Sequence, residues 1–196
     1  MDLEKIALLT NSDTELTYVY VGSLGDWNFN GGYRVYGKLN SLNIFENLST
    51  LIAKGNRGTE NILEGLNSEN TTNLKKITYI DLTQDGISNF NELKFLTGVQ
   101  TLILSNNVIS DLEGIGNLKS IQGLYLNGNK LENLRELENL ITTDENGNDV
   151  TTLRNLDVQS NSTLKAQAED GFDNVALLNR LKNAGCTTIN TDLNIN

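Results

Sequence analysis

Three segments of the chain repeat the same apolar pattern at a fixed spacing, and this feature constrains the fold more than any other. The segments begin at Ile77, Val99 and Ile121, so the step is constant (99 − 77 = 22 and 121 − 99 = 22). Each unit continues with apolar residues at its fourth and sixth positions, Asn or Asp at its ninth and three apolar residues in its second half. Self-similarity at a period of this length is typical of a solenoid, in which stacked coils bury a continuous core.

The fourth and sixth positions of each unit predict a short strand, because side chains two residues apart point to the same face of a strand. In the second unit these positions are Leu102 and Leu104. We expect the strands of neighbouring coils to pair in parallel about 4.8 Å apart.

The ninth position carries a side chain suited to bond the backbone where the chain leaves the strand. An amide offers two donated protons and an acceptor oxygen, so a column of amides can satisfy backbone groups at the turn. Three units have Asn107, Asn129 and Asn161 there, whereas the first has Asp85, which cannot donate when ionised. We predict that Asn107, Asn129 and Asn161 form a structural asparagine ladder.

The units resemble the leucine-rich repeat family, with its LxxLxLxxNxL segment followed by LxxLxxL. Their length, and phrases such as residues 110–112 (SDL) and 117–121 (NLKSI), are similar to the bacterial internalin type. The resemblance implies an α/β solenoid with short parallel strands on its concave face and 3-10, helical or irregular segments on its convex side. A repeat scaffold of this kind presents a surface, and the surface decides the ligand.

The pattern divides the chain into residues 1–73 and residues 74–196. The second part ends in a decayed unit, a helix over Asn174 to Asn183 capped by Asp173, and a strand from Cys186, which we interpret as a closing unit. The first part does not show the repeat cleanly. It is either an atypical cap over the end of the solenoid or a small separate α+β binding domain.

The two readings of residues 1–73 differ in the role of Trp27 and Phe29, which lie in a glycine-rich loop. Exposed aromatic residues can anchor an interface, but aromatic residues also close small cores. The predicted elements of this part are a short helix within residues 1–15, strands at Thr17 to Val21 and Tyr33 to Tyr36, a helix at Leu42 to Lys54, and a helix at Glu60 to Leu66 capped by Thr59.

A fourth unit resumes only at Leu153, later than the period requires. The step from Ile121 is 153 − 121 = 32, which leaves 32 − 22 = 10 inserted residues within residues 141–152. The insertion is acidic but lacks the alternating ligands and the closing Glu of an EF-hand. We interpret it as a solvated loop on the return side of the unit, because insertions in repeat proteins map to loops.

Composition excludes several classes of partner. The formal net charge of −10 argues against nucleic acid and against an anionic membrane surface, since both are bound mainly by clustered Lys and Arg. No apolar stretch is long enough to insert in a bilayer. The first residues lack a basic segment followed by an apolar run, so we expect no signal peptide in them.

The chain has no histidine, which removes the usual general base and the commonest metal ligand. It also has no glycine-rich phosphate loop that ends in Gly-Lys-Ser or Gly-Lys-Thr. Asp81 and Asp157 share the fifth position of their units but lie three units apart, too far for joint acid–base work. We therefore expect no enzyme, no catalytic residues, no cofactor and no metal site.

The third, fifth and seventh positions of each unit face away from the core, on the side that the resemblance identifies as the concave, partner-binding face. Its centre is Ile103 beside Tyr125, flanked by two carboxylates, which fits an apolar anchor with a polar rim. An ordinary solvated sheet is the alternative. The predicted partner-binding residues are Tyr79, Asp81, Thr101, Ile103, Tyr125, Asn127, Asp157 and Gln159.

Two functions follow from the pattern, and a purely structural spacer is a weaker third. The internalin resemblance implies a monomeric binding module of a bacterial surface or secreted adhesion-type protein, with another protein as its partner or a glycan as the alternative. The second function is an intracellular scaffold or regulatory subunit that docks an enzyme. The compartment stays open, extracellular in the first case and cytoplasmic in the second, because a single cysteine suits both.

Overall fold

The computed structural model describes residues 39–55 and 62–195, together with the backbone of residues 18–20. Four sequence predictions lie outside these residues: the helix within residues 1–15, the loop with Trp27 and Phe29, the strand at Tyr33 to Tyr36, and the cap at Thr59.

Among the described residues, seven short strands form one parallel sheet, and two more form a separate hairpin. In the sheet, Ile80 lies beside Leu102 and Leu102 beside Leu124, so equivalent positions of successive coils stand in columns. This arrangement confirms the predicted α/β solenoid. In chain order the strands are β1 (Tyr18–Tyr20), β2 (Thr50–Ile52), β3 (Tyr79–Asp81), β4 (Thr101–Ile103), β5 (Gly123–Tyr125), β6 (Ile141–Thr143), β7 (Asp149–Thr151), β8 (Asn155–Asp157) and β9 (Thr188–Asn190), and the sheet order is β1-β2-β3-β4-β5-β8-β9.

The return side of the coils is built from short 3-10 helices, as predicted for the convex side. Apolar residues three apart suit this geometry, because residues i and i+3 of a 3-10 helix lie on the same side. Leu93, Ile115 and Leu137 are fully buried in this way. The 3-10 helices are Leu39–Ile44, Leu74–Lys76, Leu93–Phe95, Ile115–Asn117 and Arg135–Leu140.

The core lies between the sheet and the 3-10 helices and runs without interruption from coil to coil. The fourth-position residues Ile80, Leu102, Leu124 and Leu156 form one column, and each is at most 1% exposed. The sixth-position leucines form a second buried column beside them. The two-residue alternation of the strands therefore fixes which face is buried.

The predicted helix at Leu42 to Lys54 is wrong: the chain forms the 3-10 helix Leu39–Ile44 and then strand β2. Apolar residues recur every third position from 39 to 51, which matches a helix over a short window. The same spacing runs from Phe90 to Leu102 in a regular coil, where it covers the convex turn and the beginning of the strand. Residues 39–54 are thus a further repeat unit.

Two other predictions near the N-terminus have different outcomes. The strand at Thr17 to Val21 is confirmed as β1, which pairs in parallel with β2. The described part of the predicted helix at Glu60 to Leu66 forms turns instead. The steps between strands here are long (50 − 18 = 32 and 79 − 50 = 29 residues), which hides the period. The division of the chain at residue 73 stays a prediction, although β2 and β3 pair across it.

The insertion is exposed, as predicted, but it is an antiparallel hairpin of β6 and β7 rather than an irregular loop. Its strands are rich in β-branched residues, which favour extended structure. Asp144 closes the turn, because its Oδ1 accepts hydrogen bonds from the backbone N–H groups of Asn146 (2.9 Å) and Asn148 (2.8 Å). Arg180 holds the hairpin through Asp149, with Nε 2.6 Å from Oδ2.

The C-terminal end of the described chain forms a helix followed by a strand, and its role as a closing unit stays a prediction. Helix α1 (Asn174–Asn183) begins at Asp173, whose carboxylate accepts a hydrogen bond from the N–H of Ala176 at 2.8 Å. This is the N-cap geometry that satisfies a free N–H of the first turn. The chain then passes the buried Cys186 and enters β9, the last strand of the sheet.

Candidate functional site

The ladder position joins each strand turn to the coil before it. Asn107 is 5% exposed, and its Nδ2 donates to the carbonyl oxygens of Leu82 and Leu104, both at 2.9 Å. Its Oδ1 accepts from the backbone N–H groups of Asp85 (2.9 Å) and Ile87 (3.1 Å). One side chain thus satisfies four backbone groups at the buried turn of two coils.

Asn129 and Asn161 repeat this geometry in the following coils. Nδ2 of Asn129 donates to the carbonyls of Leu104 and Leu126, both at 2.9 Å. Nδ2 of Asn161 donates to the carbonyls of Leu126 at 3.1 Å and Val158 at 2.9 Å. The column of amides continues across the hairpin insertion, because β5 and β8 pair in register.

The residue before each ladder position has a left-handed backbone, which the sequence analysis missed. The φ angles are 63° at Gln84, 58° at Asn106, 71° at Gly128 and 56° at Ser160. Asn and Gly tolerate this conformation, whereas other residues are strained in it. Their occurrence at the eighth position of two units is the signal that could have identified the turn.

The predicted partner-binding residues lie on the concave face, in rows that cross the strands. The fifth-position row runs Asp81, Ile103, Tyr125, Asp157, in which each residue is the register partner of the next. The third-position row brings Tyr79 beside Thr101. The half-buried members are Tyr79, Thr101, Ile103, Tyr125, Asn127 and Asp157, Gln159 is exposed, and Asp81 is buried.

Asp81 differs from the other predicted site residues because its carboxylate is used within the protein. The residue is 3% exposed, and Nζ of Lys54 lies 2.8 Å from Oδ2. Oδ1 accepts hydrogen bonds from Thr83, from the backbone N–H at 3.1 Å and from the hydroxyl at 2.7 Å. Asp81 therefore joins two coils and offers little surface to a partner.

Asp157 occupies the same position of its coil but has weaker contacts. Its Oδ1 accepts from the backbone N–H of Gln159 at 3.0 Å, and its Oδ2 lies 3.5 Å from Nδ2 of Asn190. Over residues 39–55 and 62–195, no Lys or Arg forms an ion pair with it. The donors that contact its carboxylate from this part of the chain are neutral.

Tyr125 owes its placement to the glycine two residues before it on the same face. A Cβ atom added to Gly123 would lie 3.2 Å from Cε2 of the Tyr125 ring, so the ring lies back across the glycine. Asn127, further along the same face, accepts a hydrogen bond from the hydroxyl of Ser105 at 2.6 Å. The aromatic ring and the amide are therefore both held in defined positions.

The two carboxylates of the fifth-position row lie too far apart to act together. Asp81 and Asp157 are separated by three strand spacings, roughly 14 Å at the usual distance between strands. Burial raises the pKa of the Cys186 thiol to about 11, which keeps it protonated and a poor nucleophile at neutral pH. In the described part of the chain, no group of three or more acidic or cysteine side chains could hold a metal ion.

A comparison with known protein families matches part of the repeat segment. Residues 97–139 match the family model described as Leucine Rich repeats (2 copies), and this segment contains the paired strands β4 and β5. The fold is a leucine-rich repeat solenoid. No curated protein matches the chain in sequence. No helix among the described residues has both the length and the apolar character that a membrane span requires.

Two solved structures are similar to this chain. An internalin (inlF) from Listeria monocytogenes has a TM-score of 0.55 and 19% sequence identity, covering 98% of this chain and 51% of its own. The chain therefore spans about half the length of that internalin. An internalin C2 (inlC2) from the same species has a TM-score of 0.48 and 18% identity, covering 80% of this chain and 70% of its own. At 19% identity the likeness to inlF concerns the fold alone.

Proposed function

We propose that this protein is a binding module whose concave face docks another protein, with Ile103 and Tyr125 as the anchor. The observation that carries the proposal is the adjacency of these two half-buried side chains on β4 and β5, strands near the middle of the sheet. A central apolar and aromatic contact surrounded by polar groups is the usual plan of a protein interface.

The rigidity of the face supports this proposal. The anchor residues project from strands paired on both sides, and the Tyr125 ring is packed over Gly123. Side chains that are already ordered lose little conformational entropy when a partner binds. Tyr79 and Thr101, register partners in the third-position row, extend the surface with half-buried side chains.

The likeness to the internalin inlF supports a narrower proposal, that the module belongs to a bacterial surface or secreted adhesion-type protein. A glycan is the alternative ligand on the same face. Fractionation of the source cells with immunodetection of this chain tests the location, and detection only in the cytosol contradicts it.

Binding is tested with the double variant Ile103→Ser/Tyr125→Ala. Proteins captured by the immobilised chain are identified, produced in pure form, and titrated against each variant by surface plasmon resonance. We expect the dissociation constant to rise at least about 30-fold, since truncation of even one hot-spot residue costs about 2 kcal/mol or more.

The matched control is Ile44→Ser/Val150→Ala, which removes two exposed apolar side chains outside the concave face. It should bind as the unaltered protein does. Unchanged binding by a correctly folded Ile103→Ser/Tyr125→Ala variant contradicts the proposal.

A further inference from the structure

The charges on the concave face point to the chemistry of the partner. We propose that the partner presents a basic side chain next to an apolar one, an inference that rests on the proposed function of this face. The cation contacts Asp157, while the apolar group packs against Ile103 and Tyr125. The partner is a protein segment of basic and apolar character.

The first step is the contrast between the two carboxylates of the fifth-position row. Asp81 has a cation of its own chain, Lys54, at 2.8 Å. Asp157 has the same position in its coil, and no described Lys or Arg reaches it. A half-buried carboxylate attracts a cation more strongly than one in bulk water, because the local dielectric constant is lower.

The second step is the geometry of the acceptor oxygens. Oδ1 of Asp157 has one backbone donor at 3.0 Å, while the contact from Asn190 to Oδ2 is at the 3.5 Å limit. An ionised carboxylate can accept about four hydrogen bonds, so Asp157 can accept further donors from a partner. A guanidinium could supply two parallel N–H donors to it and also stack on the aromatic face of neighbouring Tyr125.

The third step is the composition of the surface around Asp157. Asp192, at the seventh position of the closing coil, is exposed and adds a second negative charge; its Oδ2 accepts the N–H of Ser160 at 2.6 Å. The nearest cation in sequence, Arg154, is engaged elsewhere, because its Nη1 donates to the carbonyls of Thr151 and Gly185. This half of the concave face is therefore acidic, and complementary charge selects partners and speeds association.

The inference is tested with displayed random 12-residue peptides panned against the intact protein. We expect enrichment of peptides with Arg or Lys within two residues of an aromatic or aliphatic residue. Synthetic copies are then titrated by fluorescence anisotropy at low and high salt. The Asp157→Asn variant should bind them at least tenfold more weakly and should lose most of the salt dependence.

The control is Asp111→Asn, which removes the same charge from an exposed residue at the convex turn. It should leave binding unchanged. A charge exchange sharpens the test: Asp157→Arg should recover affinity for a peptide in which Glu replaces the selected basic residue.

The outcomes separate this inference from the proposed function. If the Ile103→Ser/Tyr125→Ala variant loses binding but Asp157→Asn binds as before, the basic contact is wrong and the docking face stands. If neither variant changes binding, both proposals fail. Enrichment of peptides without basic residues, or no enrichment at all, overturns the inference as well.

Discussion

Asn107 and Asn129 donate to the same carbonyl oxygen, that of Leu104, each from Nδ2 at 2.9 Å. The carbonyl of Leu126 is shared in the same way by Asn129 and Asn161. Each amide thus bonds its own coil and the one before it. These shared oxygens couple the stability of neighbouring coils, as expected for a fold in which each unit contacts only the next.

Removal of one ladder amide should destabilise the whole stack. Asn107→Ala leaves buried backbone groups of two coils without partners, so we expect the free energy of unfolding to fall by about 1–3 kcal/mol. Urea denaturation followed by circular dichroism measures this. Asn183→Ala, at an exposed position of α1, is the control and should stay within about 0.5 kcal/mol. An unchanged unfolding midpoint for Asn107→Ala would contradict the ladder.

The left-handed turn position predicts substitutions that stabilise the protein. Gln84 and Ser160 are held at φ angles of 63° and 56°. Because glycine adopts this conformation without strain, Gln84→Gly and Ser160→Gly should each raise the free energy of unfolding by about 0.5–1 kcal/mol. Gln100→Gly, in an exposed position without positive φ, should lower it. Thermal denaturation compares the three variants. A loss of stability in both Gln84→Gly and Ser160→Gly would contradict the prediction.

The ion pair between Lys54 and Asp81 should stabilise the protein mainly by compensating the buried charge of Asp81. Lys54→Met leaves that charge without its cation, and we expect a loss of about 1–2 kcal/mol, reduced from the full cost of breaking a buried pair because the lysine side chain is 44% exposed. Adding Asp81→Asn should restore part of the loss, which a double-mutant cycle measures. Strict additivity of the two changes would show that the residues are not coupled.

Cys186 predicts a loss of stability at alkaline pH. Burial raises its pKa from 9.0 to about 11 in the folded protein, so the unfolded chain ionises first. The resulting stability is complete below pH 9 and is lost as the pH rises from 9 towards 11. Urea titrations across this range should show a decline that Cys186→Ala lacks, even though the variant is less stable at neutral pH. Equal pH profiles for the two proteins would exclude the thiol as the cause.

The hairpin should loosen when its clamp to α1 is cut. The hydrogen bond from Arg180 lowers the pKa of Asp149, so this contact is present above pH 3.8 and is lost as the pH falls through the lowered value. Asp149→Asn should speed amide hydrogen exchange in residues 141–151 at neutral pH with little effect on the core. Glu145→Gln, in the exposed turn of the hairpin, is the control. Equal exchange in both variants would mean that Arg180 does not hold the hairpin.

The regular coils were predictable because leucine columns need only a constant step to align. The N-terminal coils were not, since their steps of 32 and 29 residues differ and their apolar triplets also fit a helix. The hairpin was not predicted for a related reason. Short β-branched segments cannot be distinguished from a loop when the sequence pattern shows no partner strand.

The concave face was predictable from the alternation of the strands, but the state of its charges was not. Lys54 precedes Asp81 by 81 − 54 = 27 residues and comes from a coil that the period does not reveal. The two carboxylates of the row therefore look alike in sequence. Only the spatial arrangement distinguishes Asp81, which pairs with Lys54, from Asp157, which no described Lys or Arg reaches.

The in-register columns also limit how such a chain can change its length. Removal of residues 101–122 would place Gly123 where Thr101 now stands, beside Tyr79, and the seam would close with every leucine still inward. Removal of an odd number of residues from that segment would shift the strand alternation by one position and turn the inward residues out to water. Evolution or design can therefore lengthen or shorten this sheet only by whole repeat units.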